Sequence, residues 1–154
     1  KAAHEILSAR KIELIDLAQI NDHFFLLSAE VQDTSTPVTL EFDDDWSVSP
    51  LHPTQLVGIY NFNYRVPRDM QKTNPQDGWL NTIIVPERPA RIPFLGRRDF
   101  SWGDETDIPT RRVRMTSASP ATIIADCERV FKTPLTITLS HHRIKVIVGK
   151  NRLF

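Results

Sequence analysis

Cysteine, glycine and long apolar runs are all scarce in this chain. The single cysteine, Cys127, cannot close an intrachain disulfide, and a zinc site would have to be built from histidines and carboxylates. No stretch approaches the roughly 18 apolar residues of a membrane-spanning helix, and none has the layout of a signal peptide. With five glycines in 154 residues there is no glycine-rich phosphate loop; GxSxG, HExxH and CxxC are absent too. These absences point away from the commonest catalytic motifs, and no cofactor is implied. Net charge is also missing, since 19 basic residues balance 19 acidic ones.

What is present suits a β-rich globular domain. The 40% apolar and 25% charged fractions can support a core. Eleven prolines imply many fixed turns and short elements. The neutral total hides an asymmetry. Residues 1–86 carry 6 Lys+Arg and 12 Asp+Glu, a net of −6; residues 87–154 carry 13 and 7, a net of +6. Such a split marks either a basic binding face or two halves that attract each other. The chain begins at Lys1 rather than Met and ends on Phe154, as an excised piece of a longer protein would. The expected setting is intracellular, extending to the nucleus.

Taken in order, His4–Ala9 is expected as a short helix and Lys11–Leu17 as a strand whose parity break needs a bulge or burial on both faces. His23–Val31 is a strong strand. Val38–Phe42 alternates as a half-buried antiparallel strand. Leu56–Tyr64 is a third strand, with Gly58 marking a bulge or bend. Residues 66–78 form a long polar loop, mobile or functional. Trp79–Val85 is a fourth strand. A boundary is placed between Pro86 and Ile108. In the last third, Arg111–Met115 reads as a strand. Ser119-Pro120 opens a helix carrying the stripe Ile123, Ile124, Cys127, Val130 and Phe131. Leu135–Leu139 and Arg143–Val148 follow as strands joined by a turn at Ser140-His141-His142. No internal repeat is visible.

Several groups could carry chemistry. Asp43-Asp44-Asp45 could hold a divalent cation for nuclease-like hydrolysis, with the acids at 104–107 as partners. Adjacent residues of an extended chain point alternately, however, and an exposed turn is the simpler reading. His141-His142 lacks a third ligand at metal spacing. Cys127, on the apolar stripe, is expected in the core. Tyr60, Phe62 and Tyr64 share one strand parity and read first as core. The basic residues stand out more. Arg65, Arg68, Arg88, Arg91, Arg97, Arg98, Arg111, Arg112 and Arg114, with Trp79, combine planar cations and an aromatic in the manner of a single-stranded nucleic-acid surface. An acidic protein surface would fit the same set.

The run HFFLLSAEV, VTLEFDDDW and SPLHP-TQLVGIY resembles the OB domain of eukaryotic replication nuclease–helicases and related single-strand-binding barrels, over about residues 23–64. The resemblance implies an OB-like barrel contacting single-stranded nucleic acid. The expected fold is therefore α+β and mainly antiparallel: an OB-like domain at 1–86, then an arginine-rich connection and a β-α-β-β unit at 87–154. The expected function is a non-catalytic module contacting single-stranded DNA or RNA within a larger assembly, away from membranes. A protein–protein assembly domain and a metal-dependent nuclease domain are the alternatives.

Overall fold

The computed structural model describes residues 3, 4, 8, 11–51, 53–62, 73–87 and 105–149. Twelve strands fill most of them: β1 (Lys11–Ile20), β2 (His23–Phe25), β3 (Ser28–Val31), β4 (Val38–Phe42), β5 (Trp46–Val48), β6 (Thr54–Tyr60), β7 (Leu80–Pro86), β8 (Thr106–Thr110), β9 (Arg112–Ser117), β10 (Thr122–Ala125), β11 (Arg129–Lys132) and β12 (Leu135–Val148). They form two six-stranded antiparallel sheets, ordered β2-β1-β12-β9-β4-β5 and β11-β10-β3-β6-β7-β8. Mainly antiparallel β is therefore correct, but the OB-like barrel and the β-α-β-β tail are not. Residues 1–86 and 87–154 both contribute strands to each sheet.

Alternation explains the core. Val38, Leu40 and Phe42 of β4 point inward, as do Val113 and Met115 of β9 and Leu135 and Ile137 of β12. They meet Ala29, Val31, Val57, Ile59, Leu80 and Ile123 from the second sheet. That second sheet also buries part of its outer face, where Tyr60, Ile83 and Val85 cluster. Gly58 belongs there. The β6–β7 register passes through it without a shift; a Cβ at this position would lie 2.7 Å from Cε2 of Tyr60, so the missing side chain makes room for the ring. The bulge in this pair falls between Thr54 and Leu56.

The expected helix after Pro120 is a hairpin, β10–β11. The edge of β3 captures the segment by pairing Val31 with Ile123 and Ala29 with Ala125. Asp126 and Cys127 then turn with φ of 49° and 62°. Positive φ at two successive central residues is type I′ geometry, which breaks a helix and closes a two-stranded hairpin. Tertiary pairing thus overrides a 3.6-residue pattern carried by five side chains. His23–Val31 is two strands instead of one, because the chain crosses between sheets at Leu26–Leu27. β12 runs unbroken through Ser140–His142, where a turn was expected. There it bulges: Ala18 faces Leu139 and Asp16 faces Arg143, so Leu17 alone opposes Ser140, His141 and His142.

The two sheets are topological copies. Read from β5, the first runs β5-β4-β9-β12-β1-β2; read from β11, the second runs β11-β10-β3-β6-β7-β8. Each strand thus occupies the place of the strand six positions away in the chain. The hydrogen bonds repeat as well. Asp43 N–H donates to Arg112 O at 2.9 Å, and Asp126 N–H to Ser28 O at 2.8 Å. Leu139 N–H donates to Arg111 O at 2.7 Å, and Asn61 N–H to Leu27 O at 3.0 Å. Asp43 and Asp44, at φ of 49° and 61°, form the counterpart of the Asp126-Cys127 turn. The repeat escapes the sequence because what recurs is backbone geometry, carried by Leu26-Leu27-Ser28 in one half and Thr110-Arg111-Arg112 in the other.

Each turn aspartate holds a sheet-to-sheet crossing. Asp126 accepts the N–H groups of Leu26 (2.8 Å), Leu27 (2.7 Å) and Ser28 (3.2 Å). Asp43 accepts those of Arg111 (3.2 Å) and Arg112 (2.8 Å) and the hydroxyl of Thr110 (3.1 Å). A carboxylate bonded to several amides is a strong, charge-assisted arrangement. Asp43→Asn and Asp126→Asn tolerate the same positive φ but lose the charge and one acceptor. Each is expected to lower unfolding free energy by roughly 1.5–3 kcal/mol in urea denaturation; a change under about 0.5 kcal/mol, the usual range of neutral surface substitutions, would show that the crossings hold without them.

Candidate active site

The most organised polar cluster centres on Asp16. This residue is 3% exposed and uses every polar group it has. Its N–H donates to Pro75 O at 2.7 Å, and its carbonyl accepts from Asn61 Nδ2 at 2.8 Å. Carboxylate Oδ1 pairs with Arg143 Nε at 2.7 Å, and Oδ2 accepts from Gly78 N–H at 2.9 Å. The β12 bulge brings Arg143 directly opposite Asp16. Asp16 thereby ties the 73–79 loop to β1 and β12.

The loop is also fixed from within. Asn74 Oδ1 accepts from Gln76 N–H at 3.2 Å, and Asp77 Oδ1 from Trp79 N–H at 2.9 Å, both side-chain turns of the Asx kind. Gly78 sits at φ +77°, where a side chain would be strained. Gln76 Nε2 donates to Glu13 Oε2 (3.1 Å) and Leu14 O (2.8 Å), laying the loop along the edge of β1. Asn61 buries an Oδ1 with no hydrogen-bond partner among the described residues, while its amide N–H groups bridge Asp16 O and Leu26 O.

Asp77 is the reactive candidate. Desolvation raises its pKa above 3.8, and the neighbouring Asp16 charge adds to the rise; the Trp79 amide opposes it. Its side chain stays open to solvent. Beside it, the Arg111 guanidinium lies over the Trp79 ring, 4.5 Å from the centroid. Asp77 is thus an exposed carboxylic acid with a raised pKa, two residues from the Trp79 ring that Arg111 covers and in the loop that Asp16 ties to Arg143, and it has the makings of a proton acceptor.

Of the residues expected to bind nucleic acid, Arg65, Arg68, Arg88, Arg91, Arg97 and Arg98 lie outside the described residues. The structure brings Trp79 and Arg111 together. Arg112 pairs with Asp44, and Arg114 lies 3.8 Å from Glu41, so both are engaged by carboxylates of β4 and its turn. With Arg143–Asp16, these contacts join the basic half of the chain to the acidic half. Asp43 serves as a backbone clasp. Cys127 is exposed in its turn, contrary to the expected core position. The His141 and His142 rings lie 3.9 Å apart, and no group of three metal-capable side chains occurs among the described residues. Sequence reading passed over Asp16, Asp77 and Arg143. The available signals were a lone acid within the apolar run LIDL and the turn-forming NPQDG immediately before a strand.

Neither a protein-family model nor a curated protein sequence matches this chain. Solved structures do. A diacylglycerol kinase from Bacillus anthracis str. Sterne superposes over 96% of this chain and 58% of its own, with a TM-score of 0.70 and 15% identity. Two structures from the same organism, each provisionally assigned as a diacylglycerol kinase, match with TM-scores of 0.72 and 0.69 at 16% and 13% identity, over 60% and 61% of their length. This chain has the fold found in those proteins and spans about three fifths of them. That likeness overturns the OB-fold resemblance. The expected non-catalytic module with single-stranded DNA or RNA as partner rested on that resemblance and falls with it; the proteins that share the fold are described as diacylglycerol kinases, two of them provisionally. Nothing here supports the nucleus as its setting. No helix among the described residues is long and apolar enough to cross a membrane.

The raised pKa of Asp77 has a sign that can be checked. The folded protein holds this proton more tightly than the unfolded chain, so ionised Asp77 opposes folding above its folded pKa. The opposition vanishes below the unfolded value, near 3.8. Asp77→Asn keeps the acceptor for Trp79 N–H and removes the charge. A small rise in Tm is expected at pH 7, shrinking as pH falls toward 3.8; a lower Tm at pH 7 would show that the carboxylate is stabilising.

Proposed function

We propose that this chain is the β-sandwich part of a phosphotransfer protein of the diacylglycerol-kinase kind, acting on the acceptor side of the reaction. The observation that carries this reading is the shared fold over 96% of the chain. The corner at Asp77 supplies chemistry that fits it. Asp77 would take the proton from an acceptor hydroxyl as the hydroxyl oxygen bonds to phosphorus and the bond to the leaving phosphate breaks. Arg111 and Arg143 would offset the negative charge around the transferring group. Asp16, bound to Gly78 and Arg143, would position both the loop and one cation without touching substrate. The sequence contains no glycine-rich phosphate loop, which supports assigning these strands to the acceptor and not to the nucleotide.

The test is ATP-dependent phosphorylation of diacylglycerol in mixed micelles by the whole phosphotransfer protein that contains this chain, with Asp77→Asn alongside. Turnover that falls at least about 100-fold in the variant is expected, the scale of general-base catalysis. Absence of phosphorylation in the wild type, or unchanged turnover in Asp77→Asn, would overturn the assignment.

A further inference from the structure

A cleft of about 600 Å³ opens at the end of the sandwich away from the Asp77 loop. It lies between two connections that cross from sheet to sheet: residues 32–37, which lead from β3 to β4, and residues 49–53, which lead from β5 to β6. The Asp77 loop enters β7 at Leu80, whereas Glu87 lines the cleft just past the other end of that strand. Both borders are pinned. Glu87 N–H donates to Pro53 O at 2.9 Å. The hydroxyls of Thr39 and Ser49 lie 2.9 Å apart and hold β4 to the start of the second connection. Pro37, Pro50 and Pro53 line the opening and fix their own φ, so its shape is set before anything binds.

The lining is apolar and anionic at once. Leu51, 94% exposed, adds an aliphatic side chain beside the prolines. Among the described residues of the lining, the charged ones are Asp33 and Glu87, with no lysine or arginine. Asp33 comes with the first connection and Glu87 stands beside the second, so separate segments contribute the two acids. The hydroxyl and amide of Ser35 hold the Asp33 carboxyl below its usual range, which makes it an anion at neutral pH. Neither carboxylate has an ion-pair partner among the described residues. Solvated acids are ordinary on a surface, but these border a preformed cleft walled by proline and leucine. A divalent metal ion would want six or more oxygen ligands, which two carboxylates on a proline wall do not supply. A cation with a hydrocarbon body matches both parts of the lining.

We propose that this cleft binds a small aliphatic dication, with an ammonium or guanidinium group at each end of a short hydrocarbon chain. One cationic end meets Glu87 and the other meets Asp33, through charge-assisted hydrogen bonds. The chain between them lies against the prolines and Leu51. The site is independent of the kinase reading, since none of these residues takes part in the Asp77 corner.

Titration calorimetry with agmatine, a guanidinium and an ammonium joined by a butyl chain, tests the proposal on the whole protein that contains this chain. Saturable binding is expected at low salt, and weaker binding at about 0.5 M salt, where charge attraction is screened. Glu87→Gln and Asp33→Asn should each weaken binding by roughly ten-fold or more, the scale of one lost charge-assisted hydrogen bond. Asp45→Asn removes an equal charge from the turn after β4 and should bind like wild type. No agmatine binding by wild type, unchanged affinity in either cleft variant, or an equal loss in Asp45→Asn would overturn the proposal. Magnesium that displaces agmatine better than potassium does at equal ionic strength would mark a metal site and overturn it too. So would an arginine-bearing peptide that binds through Glu87 where agmatine does not, since the cleft would then meet a protein partner.

Discussion

The sandwich depends on carboxylates bonded to backbone amides at its two crossings. A chain passing from one sheet to the other leaves N–H groups that neither ladder can satisfy. Unsatisfied and away from water, each would be costly. Asp126 meets three such groups at Leu26–Ser28, and Asp43 meets two at Arg111–Arg112. In each case the aspartate can reach because it occupies a left-handed turn at the tip of a hairpin in the sheet being joined. That requirement, imposed twice, gives the two halves of the chain one topology.

Asp16 applies the same chemistry to a different end. Its carboxylate bonds a loop amide and a guanidinium, so the 73–79 segment is held by β1 and β12 and not left as an open connection. The loop can then present Asp77 at the surface in a setting that disfavours its charge. The contrast with Asp33 is instructive. The hydroxyl and amide of Ser35 hold that exposed carboxyl below its usual range. Donors stabilise the anion at Asp33; at Asp77 desolvation and a second acid outweigh the single amide of Trp79.

Strand content was largely legible. Val38–Phe42 shows its alternation plainly, whereas the bulge sought in KIELIDL lies on its partner, where three residues of β12 oppose Leu17 alone. The Asp43–Asp45 run was readable as a turn because neighbouring acids on one strand cannot converge. The strand partners were not legible. Ile123 and Ile124 satisfy a helical stripe as readily as a hairpin, and only the waiting edge of β3 decides between them. Cys127 followed that error from the surface into an imagined core. The site was hidden for a related reason. Asp16 and Asp77 are 61 positions apart, and their relation exists only once the loop is laid along β1. The arginines drew attention by their number, yet Arg112 and Arg114 are matched by carboxylates of β4 and its turn, which no local pattern reveals.

The part of the functional account that the residues themselves carry is that Asp77 holds its proton above the ordinary aspartate value at an exposed position. Carbon-detected NMR titration of the side-chain carboxyls measures this residue by residue in the intact chain. The account predicts a midpoint for Asp77 above the ordinary aspartate value and clearly above that of Asp33 in the same sample. A midpoint for Asp77 at or below that of Asp33 would contradict it.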